Sequence, residues 1–309
     1  MSTNIIVDDG QGPRVSESTT RFAFGKNWRH FLNYLNEDRI IEAEKSLRTM
    51  LDVSDLEGLS FLDVGCGSGL FSLAAMRLGA RVVHSFDFDP QSVACAQELK
   101  RRYFGDARNW TIQQGSVLDP TFLSSLGQFD VMYSWGVLHH TGNMWQALGN
   151  VIPLVAGRGR LLVALYNDQD IYSQVWKAIK ERYNRGWVWR LPIISLFGSY
   201  FAVRGFIKDV LFLRKNPLAR YRDFRKSRGM AYMTDLFDWL GGYPFEVAKP
   251  GDVFDFFRAR GCELVKLNTV GIGLGNNEYV FSKSQEPGFV TSESGGSSNR
   301  GDVAKKNLG

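Results

Sequence analysis

Leu62-Asp63-Val64-Gly65-Cys66-Gly67-Ser68-Gly69 is the stretch whose reading decides the fold. It follows a short apolar segment, Leu59 to Val64, that reads as a buried strand. It precedes Leu70 to Leu78, an Ala-rich apolar helix closed by Gly79. The order is strand, glycine turn, helix. Gly65, Gly67 and Gly69 remove Cβ atoms where the chain turns sharply and approaches a ligand closely. The helix that follows points unpaired N–H groups at that ligand.

Further strands follow at regular distances. Arg81 to Phe86 reads as a strand ending at Asp87, and Trp110 to Gln114 as a third, leading into Gly115, Ser116, Val117 and Leu118. Phe129 to Ser134 is the fourth, followed by Trp-Gly-Val-Leu-His-His-Thr-Gly. The fifth, Gly159 to Leu165, ends at Tyr166-Asn167. With helices between them, these strands predict an α/β fold with a doubly wound parallel sheet. Every polar residue of interest falls at a strand C-terminal end, where ligands bind in open sheets of this kind. Asp89 before Pro90 reads as a helix cap, since Asp favours that position and Pro the first helical turn.

The dinucleotide fingerprint Gly-x-Gly-x-x-Gly spaces its third glycine one residue later than here. The pattern, with Asp63 ending the strand two positions before the first glycine, instead resembles motif I of the class I S-adenosylmethionine-dependent methyltransferases. Residues 56–166 carry the resemblance. Val137-Leu138-His139-His140 is similar to the motif after strand four in methyltransferases of ubiquinone and menaquinone biosynthesis. The resemblance implies a mostly parallel seven-stranded, Rossmann-like methyltransferase sheet that ends in an antiparallel pair. Cys262 to Asn268 and Asn276 to Phe281 fit that pair.

The resemblance also implies the cofactor, S-adenosyl-L-methionine, and its site. The glycine turn (Asp63, Gly65, Cys66, Gly67, Gly69) is expected to hold the methionine portion. Asp87 is expected to accept both ribose hydroxyls, a task that suits an acceptor-only carboxylate. Phe88 is placed against the adenine face and Ser116 with Val117 at the adenine edge. Ser134 at the end of strand four completes the cofactor set. For an acceptor that must lose a proton, His140 is the expected general base, with His139 as the other candidate, because imidazole titrates near neutrality. Tyr166, Tyr243 and Glu246 are expected to face the acceptor. No metal site is expected, since no ligand spacing suits one.

The 309 residues and 44% hydrophobic content allow a full core. Cys66, Cys95 and Cys262 are odd in number, which suits a reduced, cytoplasmic chain without disulfides. Residues 1–20 lack an apolar core of secretion-signal length and read as a flexible N-terminus. Residues 21–55 read as an N-terminal helical cap rich in aromatics, among them Trp28 and Phe31. The cofactor-binding core spans 56–170, and a helical insertion after strand five, a candidate acceptor-binding element, covers 171–245. The core sheet resumes over 246–284, and 285–309 reads as a disordered tail.

Within the insertion, the apolar run Leu191 to Val203 is too short to span a bilayer. The segment Arg214 to Arg228 carries seven cations against Asp223 alone. A plain helical subdomain, a peripheral membrane contact through 187–228 and a nucleic-acid surface remain open there. The sequence therefore predicts a methyltransferase acting on a small-molecule acceptor, phenolic, quinol-like or lipid-linked. The alternatives are an RNA methyltransferase and a non-catalytic cofactor-binding protein. Nucleic acid is not the expected partner, and the oligomeric state is left open.

Overall fold

A computed structural model describes Trp28, residues 31–207, Val210, and residues 240–271 and 275–284. The basic segment Arg214 to Arg228 and both chain ends lie outside the described residues, as do Phe22 and Phe24.

Helix α1 (Glu37–Leu51) is capped by Asn36, whose side chain accepts from the Arg39 amide, and it buries Ile40, Leu47 and Leu51. The core then alternates: β1 (Ser60–Val64), α2 (Leu70–Arg77), β2 (Val82–Asp87), α3 (Pro90–Phe104), β3 (Trp110–Gln114), α4 (Pro120–Ser124), β4 (Phe129–Trp135), α5 (Met144–Val151) and β5 (Val155–Tyr166). Two helices follow, α6 (Ile171–Asn184) and α7 (Trp187–Ile207). Helix α8 (Pro250–Arg258) leads into the last pair, β6 (Cys262–Asn268) and β7 (Asn276–Lys283).

The seven strands form one sheet in the order β3-β2-β1-β4-β5-β7-β6. Strands β1 to β5 are parallel, and β7 pairs antiparallel with both β5 and β6. This is the doubly wound, Rossmann-like methyltransferase fold expected from the sequence. All five residues of β1 are buried, as a central parallel strand covered on both faces requires. One layer packs α1, α2 and α3 against the sheet through Leu47, Leu73 and Leu99; the opposite layer uses Leu148, Val253 and Phe257. The strand order reverses between β1 and β4, the switch point at which such sheets bind ligands.

Local chemistry explains the element boundaries. Asp89 caps α3, accepting from the Gln91 amide at 2.8 Å, with Pro90 in the first turn. Asp119 does the same for α4, accepting from Thr121 and Phe122. Strand β5 begins at Val155, four residues before the expected start, because Val155 pairs with Phe129 ahead of an irregularity in the ladder. Gly79 ends the α2 turn with φ 85°, a left-handed conformation suited to glycine.

The ring of Phe257, fully buried, lies 4.3 Å from Phe281 and 5.5 Å from Phe256. Phe257→Ala is expected to cost about 3–5 kcal/mol. The loss should be seen as a lower urea midpoint with an unchanged slope.

Candidate active site

The glycine turn after β1 is held from the side by β2. The amides of Gly65 and Cys66 donate to the Phe86 carbonyl at 2.8 and 3.0 Å, and the Gly67 amide donates to the Asp87 carboxylate at 2.9 Å. The other Asp87 oxygen accepts from the Asp89 amide at 2.9 Å. Gly65, Gly67 and Gly69 have φ of 77°, 54° and 81°, so L side chains are disfavoured throughout the turn. Space forbids them as well. A Cβ on Gly65 would stand 2.3 Å from Val137, and one on Gly67 would stand 2.8 Å from the Trp28 ring.

Beside this turn lies a cavity of about 540 Å³. Its size falls in the range of small-molecule and cofactor sites, about 300–1,000 Å³. Of the expected cofactor residues, Asp63, Gly65, Cys66, Gly67, Asp87, Phe88, Ser116 and Val117 line it. His140 lines it too. The wall also includes aromatic side chains that the motifs did not single out: Phe71, Tyr133 and Trp135. Trp28 and Phe31 of the N-terminal aromatic stretch reach the cavity as well. Docking against the core and covering the pocket are thus one arrangement.

Behind Asp63 runs a buried hydrogen-bond chain. The Trp110 indole donates to Ser85 Oγ at 2.9 Å, Ser85 and Ser72 hydroxyls meet at 2.8 Å, and Ser72 donates to Asp63 at 2.5 Å. Indole is donor-only and a carboxylate acceptor-only, so with Asp63 ionised Ser85 donates to Ser72. Burial raises the Asp63 carboxyl to about 7; the Ser72 hydroxyl opposes this and the Asp87 charge adds to it. Burial, with the charges of Asp63 and Asp87, drives the Cys66 thiol well above its ordinary range. Cys66 is a small wall residue and no thiolate nucleophile.

The two histidines have different environments. His140 Nδ1 lies 2.6 Å from the Pro244 carbonyl oxygen. A carbonyl only accepts, so Nδ1 carries the proton, and the lone pair of the neutral ring is on Nε2. His139 is fully buried and does not line the cavity. Its Nδ1 accepts from the Tyr166 amide at 3.3 Å, and its ring stacks 4.0 Å from Tyr166. Burial, then His140 and the buried Lys180, hold its pKa well below the ordinary value. The Ala164 carbonyl opposes this weakly. Its Nε2 makes no hydrogen bond within the described residues. A ring so placed is neutral and structural, and it cannot reach a ligand in the cavity.

Five other expected residues are also not brought to the cavity. Ser134, fully buried, donates to the Val64 carbonyl at 3.0 Å and ties β4 to β1. Gly69 is the N-cap of α2, where a Cβ would stand 2.9 Å from Ala96 of α3; its role is helix packing. Tyr166 sits beneath the histidines. Glu246 caps α5: both carboxylate oxygens accept from the Met144 amide at 3.1 Å. Tyr243 precedes Pro244 through a cis peptide bond, in the strap that holds His140.

Residues 62–161 match the family model described as a methyltransferase domain. The match covers under half of the chain. The ribosomal protein L11 methyltransferase of Methylococcus capsulatus is 52% identical over 52 residues, 17% of this chain and 18% of the relative. That of Tolumonas auensis is 42% identical over 52 residues, with the same coverage of each chain. The chain thus matches under a fifth of the length of these curated relatives. Among solved structures, PKMT2 from Rickettsia typhi in complex with AdoHcy aligns with a TM-score of 0.50 at 13% identity, over 79% of this chain and 53% of that one. The fold is shared with it.

The Asp63 environment generates a measurable pH dependence. Its folded-state pKa lies above the unfolded value, so between about pH 4 and about pH 7 the folded chain binds more protons than the unfolded one. Stability therefore falls as pH rises through that window. Relative to Asp63→Asn, the wild type should lose on the order of 2–4 kcal/mol across it, read as diverging urea midpoints. Parallel midpoints would contradict the assignment.

Proposed function

We infer that the chain transfers a methyl group from S-adenosyl-L-methionine to a small-molecule acceptor. An oxygen nucleophile on a phenolic, quinol-like or lipid-linked compound suits the site best. The observation that carries this reading is His140, which lines the cavity with its Nδ1 proton held by the Pro244 carbonyl.

The cavity fits the cofactor. The carboxylate, the aromatic side chain and the side-chain-free turn that the ribose, adenine and methionine portions need occur along one wall. Asp87 accepts two backbone amides and retains acceptor capacity for ribose hydroxyls, since a carboxylate offers about four lone-pair sites. Phe88 and the Ser116–Val117 backbone are assigned to the adenine. Asp63, Gly65 and Gly67 border the methionine end. When bound, the cofactor supplies an activated methyl group on a sulfonium.

The protein's tasks are then alignment, exclusion of water and removal of one proton. Trp28, Phe31, Phe71 and Tyr133 supply an apolar wall that suits a flat, weakly hydrated acceptor. The Pro244 carbonyl fixes the imidazole tautomer, so that Nε2 of His140 takes the acceptor proton. Burial of His139 against Tyr166 keeps a second cation away from that ring. The Glu246 carboxylate, accepting from the Met144 amide at the start of α5, secures the loop that carries both histidines.

The reading is tested by following labelled methyl from S-adenosylmethionine into phenolic and lipid-linked acceptors. His140→Ala should slow transfer by about 10²–10⁴-fold with cofactor affinity unchanged. Transfer at full rate in the variant would remove His140 from the mechanism. Label that enters only RNA would replace the acceptor class, and cofactor binding without transfer to any acceptor would favour a non-catalytic protein.

A further inference from the structure

Helix α7 has an unusual distribution of side chains. Its inner face, Ile193, Ile194 and Phe197, packs against Trp176 and Tyr183 of α6 and against Leu240. The Phe197 and Trp176 rings lie 5.0 Å apart. A water-facing helix would be polar on the other side. Here Val188, Leu191, Leu196, Val203 and Phe206, spaced to share the opposite face, are each 56–66% exposed. The 21-residue helix has no acidic residue and only two cations. Arg190, exposed, lies along α6, donating to the Tyr183 carbonyl at 3.1 Å with its guanidinium 5.4 Å from the Tyr183 ring. Arg204 is exposed and follows Val203 by about 100° of helical turn.

The outward face is thus mainly apolar, interrupted by the exposed Ser195 and Ser199, with tryptophans at its start. Trp187 and Trp189 are 72% and 50% exposed. A helix with large apolar side chains on its outward face as well suits an interface with lipid. No helix among the described residues is long and apolar enough to cross a membrane. The stretch of sequence that holds the helix and continues beyond it is strongly basic: residues 185–228 contain eleven Lys and Arg against two Asp.

We propose that the exposed face of α7 docks this protein on an anionic lipid surface, lying in the interface rather than spanning it. Aliphatic side chains enter the headgroup–acyl boundary, tryptophans sit at its level, and the cations of the same stretch of sequence favour anionic headgroups. Charge selects this occupant over others. A second copy would bring two strongly cationic segments together. A nucleic acid would be met by cations on the contact face, and that face is uncharged. The proposal is independent of the methyl-transfer reading.

The test uses the full chain, sedimented with vesicles of phosphatidylcholine alone or mixed with phosphatidylglycerol, at low and high salt. Leu191→Glu/Leu196→Glu is compared with the wild type. Both side chains are exposed, so the fold should survive, as checked by circular dichroism and by unchanged S-adenosylhomocysteine affinity. Binding is expected on the anionic vesicles, weaker on phosphatidylcholine alone and at high salt, and at least about tenfold weaker in the variant. Equal binding by the variant would overturn the proposal. So would a monomeric wild type that fails to bind anionic vesicles. A wild-type dimer that dissociates in the variant without vesicle binding would make the face a self-association surface instead.

Discussion

The bond between the Gly67 amide and the Asp87 carboxylate is the constraint on which the site depends. Three glycines at positive φ form a turn with much conformational freedom to lose. Within the turn, the Gly69 amide donates to the Cys66 carbonyl at 2.8 Å. The restraint from outside comes from β2, through the Phe86 carbonyl on Gly65 and Cys66 and the Asp87 carboxylate on Gly67. Register makes this possible: Val64 lies opposite Phe86, so the two strands end side by side. One carboxylate therefore both shapes the turn and borders the cavity beside it. Removing the side chains that would fill that cavity and fixing the backbone around it are two parts of one arrangement.

A second constraint organises the other end of the cavity. The strap from Tyr243 to Ala248 crosses the ends of β4 and β5. It accepts from His140 at Pro244, donates from the Glu246 amide to the His139 carbonyl at 3.0 Å, and donates from the Ala248 amide to the Tyr166 carbonyl at 3.0 Å. The Glu246 carboxylate caps α5 in a half-buried setting, where burial raises its pKa and the Met144 amide lowers it. Lys180, fully buried, lies 5.0 Å from the Phe245 ring and adds to the field that keeps His139 neutral. The histidine loop is rigid because a distant segment holds it on several sides.

This division explains what the sequence could disclose. The succession of strands, the glycine turn, the position of Asp87 at a strand end, the Asp89 cap and the position of His140 were legible because each is a local pattern: a strand end, a turn or a helix start. The functions of Glu246, Tyr166 and Ser134 were not. Glu246 looks like an acceptor ligand in a Gly-Gly-aromatic turn, and only a contact 102 residues away along the chain reveals it as a helix cap. Ser134 ends a strand where ligands bind, yet its hydroxyl serves the Val64 carbonyl 70 residues earlier. His140 was the favoured base of the adjacent pair, and the third of a turn between the two in the Leu138–His140 3₁₀ segment accompanies His139 in the core and His140 at the cavity. Phe71 and Tyr133 carry no motif, and their rings, stacked 4.7 Å apart, are recognisable as a wall only in three dimensions.

The central claim is that the cavity beside the Asp87-held turn binds S-adenosylmethionine. Calorimetric titration with S-adenosylhomocysteine, for the wild type and Asp87→Ala, tests it most directly. The account predicts one-to-one binding by the wild type and a loss of at least about tenfold in the variant, the equivalent of one charged hydrogen bond. Equal affinity in the two proteins, or no binding by the wild type, would contradict it.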